Sequence, residues 1–328
     1  MLRLLLFLLL VLSGTAHAQS GCTDPRARNY NSAATANDGS CQYRTTRARP
    51  VRKARLAAAV PETSALQYTD GALWTLNDGG NAPVLFRLDS ATGQVQRQVR
   101  ISNFENLDWE DLAADSNYLY IGDFGNNYGN RQDLRVLRVA KAHIAGTDSA
   151  RAEAITFYYP DQTDFTPNLQ RQNFDCEAFF YHNDSLHLFT KNWADYRTRY
   201  YTVPARPGRH AAHLKATFNT RGLVTAAALS PGSNSVALLG YSRKTGASFL
   251  WLLSDFPGTR FLAGNKRRLK LPHALRLGQA EGLCFVAPYR VFVTTERLPK
   301  RFTLTPQRLY SLDLRWWLGP AVGPSGRK

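Results

Sequence analysis

The sequence predicts an all-β protein: a β-propeller, five blades favoured, preceded by a small disulfide-stapled module. Three observations predict it. From about Ala57 onward, short runs rich in Val, Leu, Tyr, Phe and Thr are broken by DG, NDS, PGSN and APY turns, with no sustained helical period. A unit of acid, apolar strand, turn and second strand recurs at intervals of about 45 to 65 residues, room for four short strands, and a sandwich would not repeat it. Its register is regular: Ser64 to Leu73, Glu110 to Leu119, Glu177 to Leu186 and Ala227 to Val236 are each nine residues apart, and Glu281 to Val291 is ten. Five such units fill Ala57 to Leu318, and a sixth blade is the alternative if Arg138 to Asp164 hides one.

Residues 1–18, MLRLLLFLLLVLSGTAHA, pair an early arginine with a leucine-rich run and end in small residues, the pattern of a secretory signal peptide. Cleavage after Ala18 would leave a secreted or periplasmic chain with no membrane span. The 44% hydrophobic content supports a buried core and excludes disorder of the whole chain. A net charge of +16 suggests nucleic acid in a cytoplasmic protein, but export removes that partner and no reader motif appears. The expected partners are a small molecule or an anionic envelope or polysaccharide surface, and the expected state is a monomer.

Residues 19–43 form the module, in which Cys22 and Cys41 enclose a loop rich in Asn, Asp, Gly and Ser. So small a segment needs a staple, and these cysteines supply a disulfide in an oxidising compartment. Asp24, Asn29, Asn31, Asn37 and Asp38 offer hard oxygens of the kind calcium takes, and are equally ordinary turn formers. Residues 44–56 carry arginines, a lysine and a proline without apolar periodicity and are expected to be a solvated basic linker. Residues 57–318 are the propeller, and residues 319–328 a tail.

Within each unit the chain returns antiparallel, so the end of the second strand comes back beside the residue that opens the first. Glu110 is then expected to meet Asp123, Glu177 to lie near Asn192, Glu281 to meet Glu296, and Ser64 to face Asn77 and Asp78. If the first strands line the channel, Asp78, Glu110, Asp123, Glu177, Glu281 and Glu296 converge on one mouth. So many like charges need compensation. A divalent cation, with calcium suited to an all-oxygen site, is one answer, and an ion-pair network through Lys191 and Arg297 is the other.

Other chemistries lack their signatures. The histidines show no HExxH spacing, and no GxSxG elbow, phosphate loop or dinucleotide fingerprint appears. Cys176 and Cys284 are expected to be buried free thiols, and Trp74, Trp109, Trp193 and Trp251 to pack between blades.

The motifs TDGALWTLNDGG, LDWEDLAAD, YLYIGDFGNN, DCEAFF, LFTKNW and QAEGL resemble the exported bacterial propellers grouped with the esterase-like phytase domain and its calcium-containing relatives. The N-terminal stretch resembles short GCTDxxAxNYN…DGSC modules of secreted proteins. The first resemblance implies a channel-mouth cation on residues matching Glu110, Glu177 and Glu281. The fourth unit, with Ala227 and Gly240, departs from it by offering no acid. Two functions stay open: a binding or scaffold protein with a structural cation, or a metal-assisted hydrolase of an ester, lactone or phosphoester in which one of the three glutamates acts as base. No catalytic residue is assigned.

Overall fold

A computed structural model describes residues 18–232, 234–299 and 304–320. The signal-peptide assignment lies, but for Ala18, outside the described residues, as does most of the 319–328 tail. Among the described residues no helix is long and apolar enough to cross a membrane.

Five sheets, each with four antiparallel strands, form five propeller blades, and three of them carry a short parallel strand at the outer edge. Blade 1 contains Gln67–Thr69, Ala72–Thr75, Val84–Leu88 and Val95–Ile101, and blade 2 contains Trp109–Ala114, Tyr118–Asp123, Arg135–Ala140 and Glu153–Tyr158. Blade 3 runs from Asp175–His182 through Ser185–Lys191 and Thr198–Pro204 to His213–Phe218. Blade 4 comprises Leu223–Leu229, Ser235–Tyr241, Ala247–Ser254 and Asn265–His273. Blade 5 takes Gln279–Ala287, Arg290–Glu296 and Arg308–Asp313 from the C-terminal end and its outermost strand, Val51–Arg55, from the N-terminal end. The segment 138–164 holds no sixth blade, because Glu153–Tyr158 completes blade 2 and Ser149–Ala150 adds to the edge of blade 1.

Alternation within each strand explains the packing. Side chains on opposite faces of a blade meet those of the two neighbouring blades, so the core divides into one apolar cluster per junction. Trp74 and Trp109 fill the junction of blades 1 and 2, and Trp251 with Phe249 and Phe261 that of blades 3 and 4. Leu56, Leu73, Cys284 and Leu309 belong to the junction of blades 5 and 1, which seals the ring.

The basic stretch 44–56 is not a tether. Val51–Arg55 pairs antiparallel with Arg308–Asp313, and Thr46–Arg47 pairs parallel with Leu269 and Lys270 on blade 4. An edge strand shows solvent most of its side chains, and here Ala54 alone within Val51–Arg55 is buried, so no apolar alternation marks it. The propeller therefore begins before Ala57.

Cys22 and Cys41 are bonded to each other, and Cys176 and Cys284 are buried free thiols. The stapled module is docked. Asn37 Nδ2 donates to Asp255 and Asn265 on blade 4, Arg26 Nη1 donates to Gly319 O at 2.8 Å, and Arg267 reaches Asp24 at 3.3 Å.

Candidate metal centre at the channel mouth

A bulge at one mouth aims the key side chains. In blade 2, Trp109 pairs with Asp123 and Asp111 with Gly122, which leaves Glu110 as the extra residue. Blade 3 pairs Cys176 with Thr190 and Ala178 with Phe189 around Glu177, and blade 5 breaks register between Ala280 and Leu283 around Glu281. A bulge re-aims the side chain it leaves unpaired. Glu110, Glu177 and Glu281 are all buried there, as the repeat register predicts.

In blade 4 the bulged residue is Thr225, between the pairs Val224–Gly240 and Ala226–Leu239. The nine-residue spacing points to Ala227 instead, because the hairpin of blade 4 is longer. Leu229 pairs with Val236 there, whereas His182 pairs with Ser185 in blade 3. Thr225 Oγ1 donates to Ala280 O at 3.0 Å, and its hydroxyl also meets the Glu281 carboxylate.

Alternation sorts the second-strand acids. Residues two before the bulge face Lys191 in blade 3, Tyr241 in blade 4 and Glu296 in blade 5, and Asp78 N donates to Glu62 O in blade 1. Asp123 pairs one step nearer the bulge, opposite Trp109, so its side chain points off the channel. There it is fully buried between Arg131 at 3.2 Å and Arg135 at 2.7 Å. Asn192 is also turned away, and Lys191 takes the place expected beside Glu177. Arg297 is exposed.

Asp108 and Asp175, each two residues before a bulged glutamate, complete the mouth. Sequence reasoning passed over both, although the D-x-E spacing of Asp108-Trp109-Glu110 and Asp175-Cys176-Glu177 repeats. Asp175 is buried and accepts from Asn126 N and from Trp193 Nε1, each at 2.7 Å, so Trp193 holds a carboxylate of the site and belongs to none of the apolar clusters between blades.

One oxygen each from Asp78, Asp108 and Glu110 lies within 4.8 Å of the others. Bare backbone walls this seat. A Cβ at Gly125 would fall 2.3 Å from Glu110 Oε1 and 2.4 Å from Asp108 Oδ2, and one at Gly79 would fall 2.4 Å from Asp108 Oδ1. A hard all-oxygen donor set in such a cradle fits a cation such as calcium.

The electrostatics are graded across the mouth. Burial, then the neighbouring carboxylates, pushes Glu110 well above the usual carboxylate range and Asp108 up to about 7. Burial also raises Asp78, against a backbone hydrogen bond from Gly79 and the more distant Lys191 ammonium. On the other side burial raises Glu177 and Glu281, but the Lys191 ammonium opposes it, and Glu177 accepts directly from Lys191 Nζ. Burial disfavours the Lys191 charge, yet Glu177, Tyr241, Glu281 and Asp175 hold it protonated. Glu296 is raised by burial and then by Glu281 and Asp78.

No family model and no curated protein sequence matches the chain. Among solved structures it is similar to an exo-β-1,3-galactanase from Phanerochaete chrysosporium in complex with β-1,3-galactotriose, with a TM-score of 0.51 and 11% identity over 82% of this chain and 65% of that one. A PQQ-bound aldose sugar dehydrogenase from Streptomyces coelicolor aligns with a TM-score of 0.45 and 11% identity, over 79% of this chain and 96% of that one. A putative 6-phosphogluconolactonase from Bacteroides uniformis aligns with a TM-score of 0.36 and 12% identity, over 77% and 74%. At such identities the likeness is one of fold alone.

Proposed function

We propose that this chain is an exported binding or scaffold propeller that holds calcium on Asp78, Asp108 and Glu110 at its channel mouth. One observation carries the reading: these carboxylates converge within 4.8 Å while the nearby cations are already committed, Lys191 to Glu177, and Arg131 and Arg135 to Asp123. A divalent cation relieves the remaining repulsion and accepts several oxygens at once. The Cys22–Cys41 disulfide supports a location outside the reducing cytoplasm. Calorimetric titration of the metal-stripped chain with calcium tests the reading. One strong site is expected, lost in Asp108→Asn and kept within about threefold in Glu281→Gln, whose carboxylate lies on the lysine side. Equal loss in both variants, or no binding by the parent, contradicts it.

A second reading, metal-assisted hydrolysis of an ester, lactone or phosphoester, is favoured by the partial exposure of Asp78 and Asp108 beside buried Glu110, which opens the seat to a ligand from solvent. The cation would polarise the substrate, and Glu281, which accepts from Gln279 Nε2 at 2.7 Å, is the base this reading proposes. Calcium-dependent turnover of nitrophenyl esters, phosphoesters or a lactone would support it, and loss of that turnover in Glu281→Gln would assign the base.

A further inference from the structure

The stretch that sequence reads as a tether is fixed to the outside of the ring. Through Thr46–Arg47 and Val51–Arg55 it becomes the outer edge of blades 4 and 5, and Arg47, Arg49, Arg52, Lys53, Arg55 and Lys270 are exposed along it. Segments 39–61 and 265–278 contain no acidic residue. None of these six bases forms a salt bridge among the described residues, and what sets the edge apart is that they lie together along it with no acidic residue in either segment.

Apolar side chains sit on the same edge. Trp316 is 72% exposed and Val51 68%, the two most exposed large hydrophobics among the described residues. The short helix Arg315–Leu318 is pinned beside the edge strand because Trp317 Nε1 donates to Thr46 Oγ1 at 2.8 Å, which leaves Trp316 facing outward. Trp and aliphatic side chains among bases are the combination that enters the headgroup layer of a membrane, where the ring partitions and the cations meet phosphate.

We infer that the outer edge of blades 4 and 5 docks on an anionic bilayer surface, with Trp316 entering the headgroup region and the edge bases contacting lipid phosphates. Rigidity matters here: all six bases but Arg49 lie on paired strands, so their backbone meets a surface with little ordering cost. A soluble polyanion would use the same charges but has no layer into which Trp316 and Val51 could insert.

The test uses the chain from Gln19 onward with vesicles of phosphatidylcholine alone or mixed with phosphatidylglycerol. Binding is expected only to the anionic vesicles and should weaken strongly between low and high salt. Each base near an anionic surface is worth on the order of a fivefold change in partition, so Arg47→Ser, Arg49→Ser, Arg52→Ser and Lys53→Ser together should lower it by more than about a hundredfold. A control with the same change of net charge, Arg151→Ser, Arg171→Ser, Arg206→Ser and Arg209→Ser, should stay within about threefold of the parent. Brominated lipid should quench tryptophan fluorescence in the parent and not in Trp316→Ser, a readout that survives even if the fourfold edge variant fails to fold. No binding by the parent, equal loss in the control, or quenching unchanged in Trp316→Ser overturns the inference. Binding to a soluble sulfated polysaccharide without binding to vesicles overturns it too and reassigns the edge to a polyanion.

Discussion

The two halves of the channel mouth share one backbone device and differ in chemistry. On blades 1 and 2, Asp78, Asp108 and Glu110 crowd together with no ammonium among them, walled by Gly79 and Gly125. On blades 3 to 5, Glu177 and Glu281 occupy equivalent bulges but share Lys191, and the fourth bulge presents a hydroxyl, Thr225. Lys191 holds the register position that Glu296 holds in blade 5. One half thus shares a buried ammonium among its carboxylates, and the other has no ammonium in contact with it. The bulge sets where a side chain points, and the residue on it sets what compensates the charge.

The largest effect should come from breaking the half that contains Lys191. Lys191→Met leaves Glu177 beside Asp175 and Glu281 with no buried cation, and removing one partner of a buried pair costs about 3–5 kcal/mol. Denaturant unfolding in excess calcium should show that loss in full, because the proposed seat lies across the mouth. If calcium restores the variant to parental stability, the halves are not separate.

A smaller effect is expected at the wall of the cation half. Gly125→Ala places a methyl 2.3 Å from Glu110 Oε1, where the carboxylates must shift, at a cost of about 1–3 kcal/mol. Calcium affinity should fall by at least about tenfold, the free-energy equivalent of 1.4 kcal/mol in the same range. Unchanged affinity by titration would place the ion elsewhere. The smallest effect belongs to Thr225→Val, which removes one hydroxyl hydrogen bond, worth about 1 kcal/mol, and should leave calcium affinity untouched. A change in affinity there would extend the seat across the channel.

Much of this was legible in the chain. The repeat carries the propeller, its blade number and the shared mouth of Glu110, Glu177 and Glu281, because a strand pair with a tight turn fixes register. Where register slipped by a single residue, the reading failed: Asp123 sits one step from the channel position and faces two arginines instead. The longer hairpin of blade 4 hid Thr225 for the same reason, since spacing counted from the turn miscounts when the turn lengthens. Asp108 was missed because it precedes its strand, and a repeat defined by strands does not weigh the loop residue before them. Val51–Arg55 was unreadable as a strand because its pairing partner, Arg308–Asp313, is more than two hundred residues away and its outward face is entirely basic and polar but for Val51.

The most direct measurement is a set of four melting curves: parent and the Asp108→Asn, Glu110→Gln double variant, each in calcium and in chelator. A ligand specific to the native state stabilises by mass action, about 2.7 kcal/mol at a hundred times its dissociation constant. The account predicts that calcium raises the melting temperature of the parent and not of the variant, and that in chelator the variant melts at or above the parent, since there the carboxylates only repel. If parent and variant melt alike with and without calcium, the mouth holds no cation, and the carboxylates on blades 1 and 2 are compensated by proton uptake alone.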